Sequence, residues 1–395
     1  MNRPIDPTRL VGVAANSVAP ISSAHLPVLD GVRGLAVAIV IIHNAAWVVG
    51  DSPRFLTKLV SAIAATGWVG VQLFFVLSGF LITGILLDSK GRPRFFSSFY
   101  ARRTLRIFPL YYGFLAVALL VAPWLSWSAP WIASVQRDQW PYWLYLSSWT
   151  DPFRPGIEGL GHLWSLSVEE QFYLAWPFLV WSLTRRGLVR LCTVMIVITP
   201  FLRLVLRSIE VPELTAYTFP IARWDALAIG ALIAALMRDD AGRMMLSAWS
   251  GRVTALALGC LALQVGVVHG LNAEGFWGQV TGQSLVAILS ASLIVFAVNG
   301  PASAPSVIQR LLSRRWLCTL GKYSYAMYVL HMPLHHLLML PLGDWVRMDD
   351  TPWRLARLAV YLMLVLVGSF VAALISWRLI EKPFLDLKER VAPRP

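Results

Sequence analysis

The sequence predicts an all-α integral membrane protein, a polytopic bundle of about ten transmembrane helices. Three observations lead there. The 395 residues are 57% hydrophobic and only 14% charged, with a mean hydropathy of +0.62. Apolar runs of about 18–25 residues, each long enough to cross a bilayer, recur along nearly the whole chain. The gaps between these runs are too short to hold a soluble domain of ordinary size.

Residues 1–27 are polar and small, with Pro4, Pro7 and Pro20, and are expected to form a disordered cytoplasmic tail. They contain no apolar core of signal-peptide length. The transmembrane unit is expected over 28–384, and 385–395 is expected to be a second cytoplasmic tail. The first span falls at 28–49 and the second at 64–87. A basic loop with Lys90, Arg92, Arg94, Arg102, Arg103 and Arg106 leads to a third span at 107–124. The Trp-rich stretch 124–149 suits a membrane interface, and Pro130 and Pro141 argue against another full crossing. Seven more spans follow at 166–184, 188–206, 219–237, 253–270, 280–298, 317–341 and 356–380.

A net charge of +13 raises the question of nucleic acid, but no soluble segment carries a basic stripe with interleaved aromatics. The cations instead mark alternate loops. One set holds Arg102, Arg103, Arg106, Arg185, Arg186, Arg190, Arg238, Arg243, Arg310, Arg314 and Arg315. The opposite set is sparser and mixed with acids. The basic set is expected on the cytoplasmic side of the membrane, which places both termini there. Cys192, Cys260 and Cys318 lie far apart in or beside apolar runs, and read as small buried residues.

The chain is organised around Gly161–Pro177, GHLWSLSVEEQFYLAWP, where Glu169 and Glu170 open an apolar run. An ionisable group at the outer end of a membrane helix has a partner or a task. The two carboxylates sit about 100° apart on a helix, so one of them is expected to face a given cavity. Ser167 and Glu170 have capping-box spacing, which leaves Glu169 for chemistry or for a structural hydrogen bond. His162 lies seven residues before Glu169, on the same helix face.

Other polar positions carry two readings each. His43, in LDGVRGLAVAIVIIHN, is a general base or a hydrogen-bonded interior histidine, and Arg33 holds a phosphate or snorkels. In FFVLSGF, Gly79 permits close approach of a helix or a ligand, while Ser78 has no base beside it in sequence. Arg102 and Arg106 share a face and bind a phosphorylated donor or anionic lipid. Arg223 and Asp225 pair with each other or with Glu169 or Glu170. His331 and His335 have half of a metal-site spacing, but Pro333 intervenes and no carboxylate completes it, so no metal is expected. No phosphate-cradling glycine loop or zinc-protease motif occurs.

LDGVRGLA with its histidine, GVQLFFVLSGFLIT, RRTLRIFPLYY, HLWSLSVEEQFYLAWP, RWDALAIGALIA and GKYSYAMYVLHMPL together resemble blocks of the membrane acyltransferase-3 family, in the family's order. These are the bacterial O-acyltransferases of cell-surface glycans. The resemblance implies a ten-helix fold and an acyl-coenzyme A donor, acetyl-coenzyme A in the simplest case, used as a substrate rather than a resident cofactor. It implies an acceptor hydroxyl on the outer side, on a glycan or lipid-linked sugar. By position, Arg33 and a histidine of span one form the family's arginine–histidine pair. Arg102, Arg103 and Arg106 fall in its donor-side basic block, and Glu169 and Glu170 in its acidic block. Catalysis is then expected from His43 and Glu169, with Asn44, Ser78, His162, Glu170, Arg223 and His331 positioning substrate. The family pattern separates arginine from histidine by eleven steps, which aligns them on one face. Here Asn44 occupies that position and His43 is rotated about 80° away, unless a short 3₁₀ stretch restores the alignment. Two alternatives remain open: an acceptor such as a macrolide, or a transporter of a lipid-linked sugar.

Overall fold

A computed structural model describes residues 26–46, 60, 62–121, 138–153, 159–209, 211–268, 272, 275–299, 305–347 and 353–391. The expected N-terminal tail up to residue 25, Trp124, Trp127, Trp131 and the last four residues lie outside them. Within the described residues there is no β-strand. The long helices are α1 (Pro27–Ala46), α2 (Val69–Ser89), α3 (Phe95–Ala116), α4 (Trp164–Ser182) and α5 (Arg185–Ser208). They continue with α6 (Trp224–Leu236), α7 (Asp240–Val268), α8 (Gln283–Val298), α9 (Arg315–Arg347), α10 (Arg354–Ser376) and α11 (Lys382–Val391). The expected C-terminal tail is therefore helical through Val391, joined to α10 by a π turn over Trp377–Glu381.

Among the described residues, seven helical segments are long and apolar enough to cross a membrane: those of α1, α2, α3, α5, α7, α8 and α10. The chain is a multi-pass membrane protein. The expected fourth, sixth and ninth spans are present as α4, α6 and α9, but their composition or length sets them apart. At 13 residues, α6 reaches about 20 Å, short of a bilayer core of about 30 Å. Glu169, Glu170 and Gln171 interrupt α4, and Lys322 and three histidines interrupt α9. Helix α6 packs inside the bundle, while α4 and α9 each bury one side and leave Leu174, Phe178, Trp316 and Leu340 exposed. By contrast, only Gly242 and Ala257 are buried on α7, whose apolar surface faces outward.

Small residues let backbones touch. A Cβ on Gly79 of α2 would lie 2.0 Å from the Leu227 carbonyl oxygen of α6, and one on Gly230 of α6 would lie 1.9 Å from that of Val76. Helix packing is thus the use of Gly79. Four other expectations change. The third helix starts at Phe95, so Arg102, Arg103 and Arg106 sit on α3 itself rather than in a loop. Helix α4 starts at Trp164, with a 3₁₀ turn over Gly161–Leu163 before it. Ser167 is therefore inside the helix, sharing a 2.7 Å hydrogen bond with Ser147, and no capping box forms with Glu170. Cys192 is buried as expected, whereas Cys260 lies on the exposed face of α7.

Candidate active site

A cavity of about 110 Å³ lies among α1, α2, α3, α4 and α9. Arg33 of α1, Arg103 and Arg106 of α3, and Glu169 and Glu170 of α4 all line it. Helical spacing explains the choice of cations: Arg103 and Arg106 are one turn apart, while Arg102 is not part of the lining. Both carboxylates reach the cavity, contrary to the expectation of one, because the lining residues of α4, Ser165, Leu166, Glu169, Glu170 and Tyr173, cover a single face about 140° wide.

At the centre, Ser78 donates a 2.6 Å hydrogen bond to Glu169 Oε1. Its Oγ is also 2.6 Å from the Tyr173 hydroxyl. Serine has one proton, so Tyr173 is the donor in that second contact. The Arg103 guanidinium lies over the Tyr173 ring, 5.5 Å from its centroid. Ser78 stands 16 residues after Ala62 and 11 before Ser89, near the middle of this helical segment. Glu169 shares that level, deeper than the helix mouth where it was expected.

One helical turn further along α2, Phe74, Phe75, Ser165 and Tyr328 line the same cavity. The Ser165 and Tyr328 hydroxyl oxygens are 2.5 Å apart. Tyr328 donates to the His162 carbonyl at 2.9 Å, and Ser165 contacts the same oxygen at 3.1 Å. Behind them is a histidine layer outside the cavity lining. A backbone carbonyl only accepts, so His331 Nδ1–H donates to Tyr328 O at 2.6 Å, and Nε2 accepts from Asn44 Nδ2 at 2.9 Å. His162 Nε2–H donates to Val329 O at 3.1 Å, with its ring 5.0 Å from that of His331. His43 Nδ1–H donates to Ala64 O at 2.7 Å, across from Gly67, which has no side chain to obstruct it.

The structure brings Arg33, Arg103, Arg106, Ser78, Glu169 and Glu170 together, and keeps His43, Asn44, His162, His331 and Arg223 apart from them. Helix α1 is a continuous α-helix, with no 3₁₀ stretch to swing His43 back toward the Arg33 face. Asn44, at the eleven-step position, meets an imidazole from α9 instead. His331 and His335 take separate partners, Asn44 and Tyr361, so their i, i+4 spacing does not converge on one point.

Arg223 and Asp225 do not pair. Asp225 binds Arg203 of α5 through two contacts of 2.7 and 3.2 Å, with both side chains fully buried. Gln283 and Ser284 complete that network. Arg223 is instead enclosed by the rings of Tyr217, Trp164 and Phe75, at 4.7, 5.1 and 5.4 Å from their centroids. Sequence reasoning missed Arg203. Its signal was an arginine inside an apolar run, which requires a partner. Tyr173 and Tyr328 carried no signal, since tyrosines in apolar helices are common.

Fold and cavity define a polytopic helical protein with a charged site enclosed by its helices. The chain belongs to the acyltransferase-3 family, whose model, described as an acyltransferase domain, matches residues 26–378. It is similar to the O-acetyltransferase OatA of Staphylococcus aureus, with 27% identity over 383 residues, covering 92% of this chain and 57% of that protein. It is similar also to the peptidoglycan O-acetyltransferase OatA of Listeria monocytogenes, with 27% identity over 383 residues, covering 92% of this chain and 56% of that protein. The chain thus spans just over half the length of these curated relatives. No solved structure matches.

Proposed function

We propose that this chain is a membrane O-acyltransferase that moves an acyl group, acetyl in the first instance, from cytoplasmic acyl-coenzyme A to a hydroxyl of a cell-surface glycan or lipid-linked sugar. The observation that carries this reading is the convergence of Arg33, Arg103 and Arg106 on one cavity. Three guanidinium groups facing a shared space suit the phosphates of coenzyme A, because the planar fork binds phosphate oxygens in pairs. Family membership supports the reaction class, and the name of the Listeria relative, a peptidoglycan O-acetyltransferase, supports a glycan acceptor.

Distances along the helices support the division of labour. Arg33 and Asn44 are eleven residues apart, about 16 Å along α1. An extended pantetheine arm anchored by its phosphates at Arg33 would therefore run toward the histidine layer. At the end of the cavity that borders this layer, the acceptor oxygen bonds to the acyl carbon and the carbon–sulfur bond breaks. The hydroxyl proton passes to His43 and on to the departing sulfur. The hydrogen bond from His43 Nδ1–H to Ala64 O supports this role, because it fixes the tautomer and leaves Nε2 as the basic nitrogen. Glu169 fixes Ser78 and offsets the charge of the arginines, and both termini lie in the cytoplasm.

The test is mass spectrometry of surface glycans from cells with and without the protein, together with acyl transfer by the purified protein from labelled acetyl-coenzyme A. A glycan mass difference matching one acyl group, dependent on the protein, is the expected result. An unchanged glycan and an unconsumed donor would set the reading aside.

A further inference from the structure

The cavity has two chemically different ends. The end at Arg33, Arg103, Arg106, Glu169 and Glu170 is charged. The other end is lined by Val71, Phe74, Phe75, Ser165 and Tyr328, where the polar side-chain groups are two hydroxyls. Phe74 packs edge-on against Tyr328, with ring centroids 6.1 Å apart, and Tyr328 in turn touches the rings of His162 and His331. This end is an apolar wall with one hydroxyl pair set into it.

The hydroxyl pair is arranged to change partners. Ser165 Oγ, Tyr328 Oη and the His162 carbonyl form three contacts of 2.5, 2.9 and 3.1 Å. Two hydroxyls have two protons between them. Either proton can therefore turn to a ligand oxygen while the other keeps the carbonyl satisfied, so neither donor nor acceptor is stranded. Tyr328 also precedes His331, the partner of Asn44, by about one turn. It thus lies short of the histidine layer on the path of an arm that starts at Arg33.

We propose that the Ser165–Tyr328 pair holds the carbonyl oxygen of the donor's acyl group, and that Phe74 and Tyr328 set the length of acyl chain the enzyme accepts. This inference rests on the acyl-coenzyme A reading above. Tyr328 supplies a donor to the oxygen on which negative charge develops as the acceptor attacks. The rings of Phe74 and Tyr328 occupy the space into which a longer chain would extend. A short acyl group is then favoured by shape, with discrimination of about 10–200-fold per added methylene.

Two substitutions separate the two roles. Tyr328→Phe keeps the wall and removes the hydroxyl. Phe74→Ala opens the wall and keeps the hydroxyl. The purified protein would be assayed for transfer from acetyl-, butyryl- and octanoyl-coenzyme A to solubilised peptidoglycan fragments, with donor affinity measured separately. Tyr328→Phe is expected to lower kcat on the order of 10²-fold for every donor, without changing the order of preference. Phe74→Ala is expected to raise the butyryl-to-acetyl ratio of kcat/KM by at least about tenfold. Tyr328→Ala provides a second opening of the same wall and should move that ratio in the same direction. A wild type that transfers acetyl, with a ratio unmoved in both opened variants and a kcat unmoved in Tyr328→Phe, overturns the assignment of this end while leaving the acyltransferase reading intact. A wild type that transfers no acyl group overturns both.

Discussion

The cavity and the histidine layer are both built from polar groups inside an apolar bundle, yet they are organised in opposite ways. In the cavity, three guanidinium groups and two carboxylates face a common space, and among the described residues Arg33 makes one hydrogen bond, of 3.1 Å, to Asp30 of its own helix. In the layer behind it, His331 and Asn44 face each other, and His162 and His43 are pinned to backbone carbonyls. Charges arranged around space are suited to binding a ligand, whereas imidazoles held in defined tautomers are suited to proton transfer or to structure. Substitutions at the charged end of the cavity should act on donor affinity, and substitutions in the layer on turnover or stability.

The largest expected effect tests the layer's chemistry. His43→Ala should reduce turnover by about 10²–10⁴-fold, the usual contribution of a positioned general base. Donor affinity should stay near the wild-type value, since His43 does not line the cavity. Single-turnover kinetics alongside equilibrium donor binding would separate the two quantities. Full turnover in this variant would assign the base to another group and leave His43 as a packing residue.

The next effect concerns stability alone. Asp225→Ala would leave Arg203 buried without its carboxylate, and removal of one partner from a buried pair costs about 3–5 kcal/mol. Thermal unfolding of the detergent-solubilised protein should show a pronounced loss. Arg223 offers the internal comparison, since its enclosure is aromatic rather than ionic. Arg223→Met should be milder, because it removes a buried charge without leaving an opposite charge unpaired, and methionine recovers part of the packing. Equal losses at the two positions would mean that the ionic and aromatic environments are energetically alike.

A third prediction sharpens the cavity side. Arg103→Ala and Arg106→Ala should each weaken donor binding by roughly 10–100-fold, from the loss of about 1.5–3 kcal/mol per charged hydrogen bond. Arg102→Ala should change it little, because Arg102 is outside the lining. Titration of a fluorescent coenzyme A analogue would rank the three. If Arg102 proved equal to its neighbours, the donor phosphates would have to lie on a different face of α3.

How much of this was legible in sequence depended on the range of the interaction. The positions of the helices followed from apolar runs, which are local, and the close-packing use of Gly79 was among the readings weighed. The choice of Arg103 over Arg102 was not legible, because it depends on how α3 is rotated against α2 and α4. The base-like neighbour of Ser78 was hidden because Glu169 lies 91 residues away. The pairing of Asp225 was misplaced toward Arg223 by proximity in sequence, when its partner is 22 residues back on α5. The eleven-step spacing did identify Asn44 as the unusual position, but not the residue that meets it, since His331 lies 287 residues further on.

The smallest expected effect lies at that junction. Asn44 cannot take a proton, because its amide does not titrate, so it acts through hydrogen bonds such as the 2.9 Å bond it donates to His331 Nε2. Asn44→Ala removes that donor and leaves a buried imidazole nitrogen unsatisfied, a cost of about 1–3 kcal/mol in stability. Turnover should fall far less than in His43→Ala. His331→Ala removes the acceptor instead, together with the hydrogen bond to Tyr328 O. A double-mutant cycle with both changes should return a coupling of about 0.5–3 kcal/mol, since the side chains touch directly. Exchanging the neighbours, His43→Asn with Asn44→His, would place an imidazole at the eleven-step position facing His331. A neutral imidazole has one donor and one acceptor, so the exchanged pair can still hydrogen-bond across α1 and α9. Activity retained in the exchanged protein would place the proton chemistry on the His331 side of α1. Activity lost there but retained in Asn44→Ala would place it on the side facing Ala64, where His43 now stands.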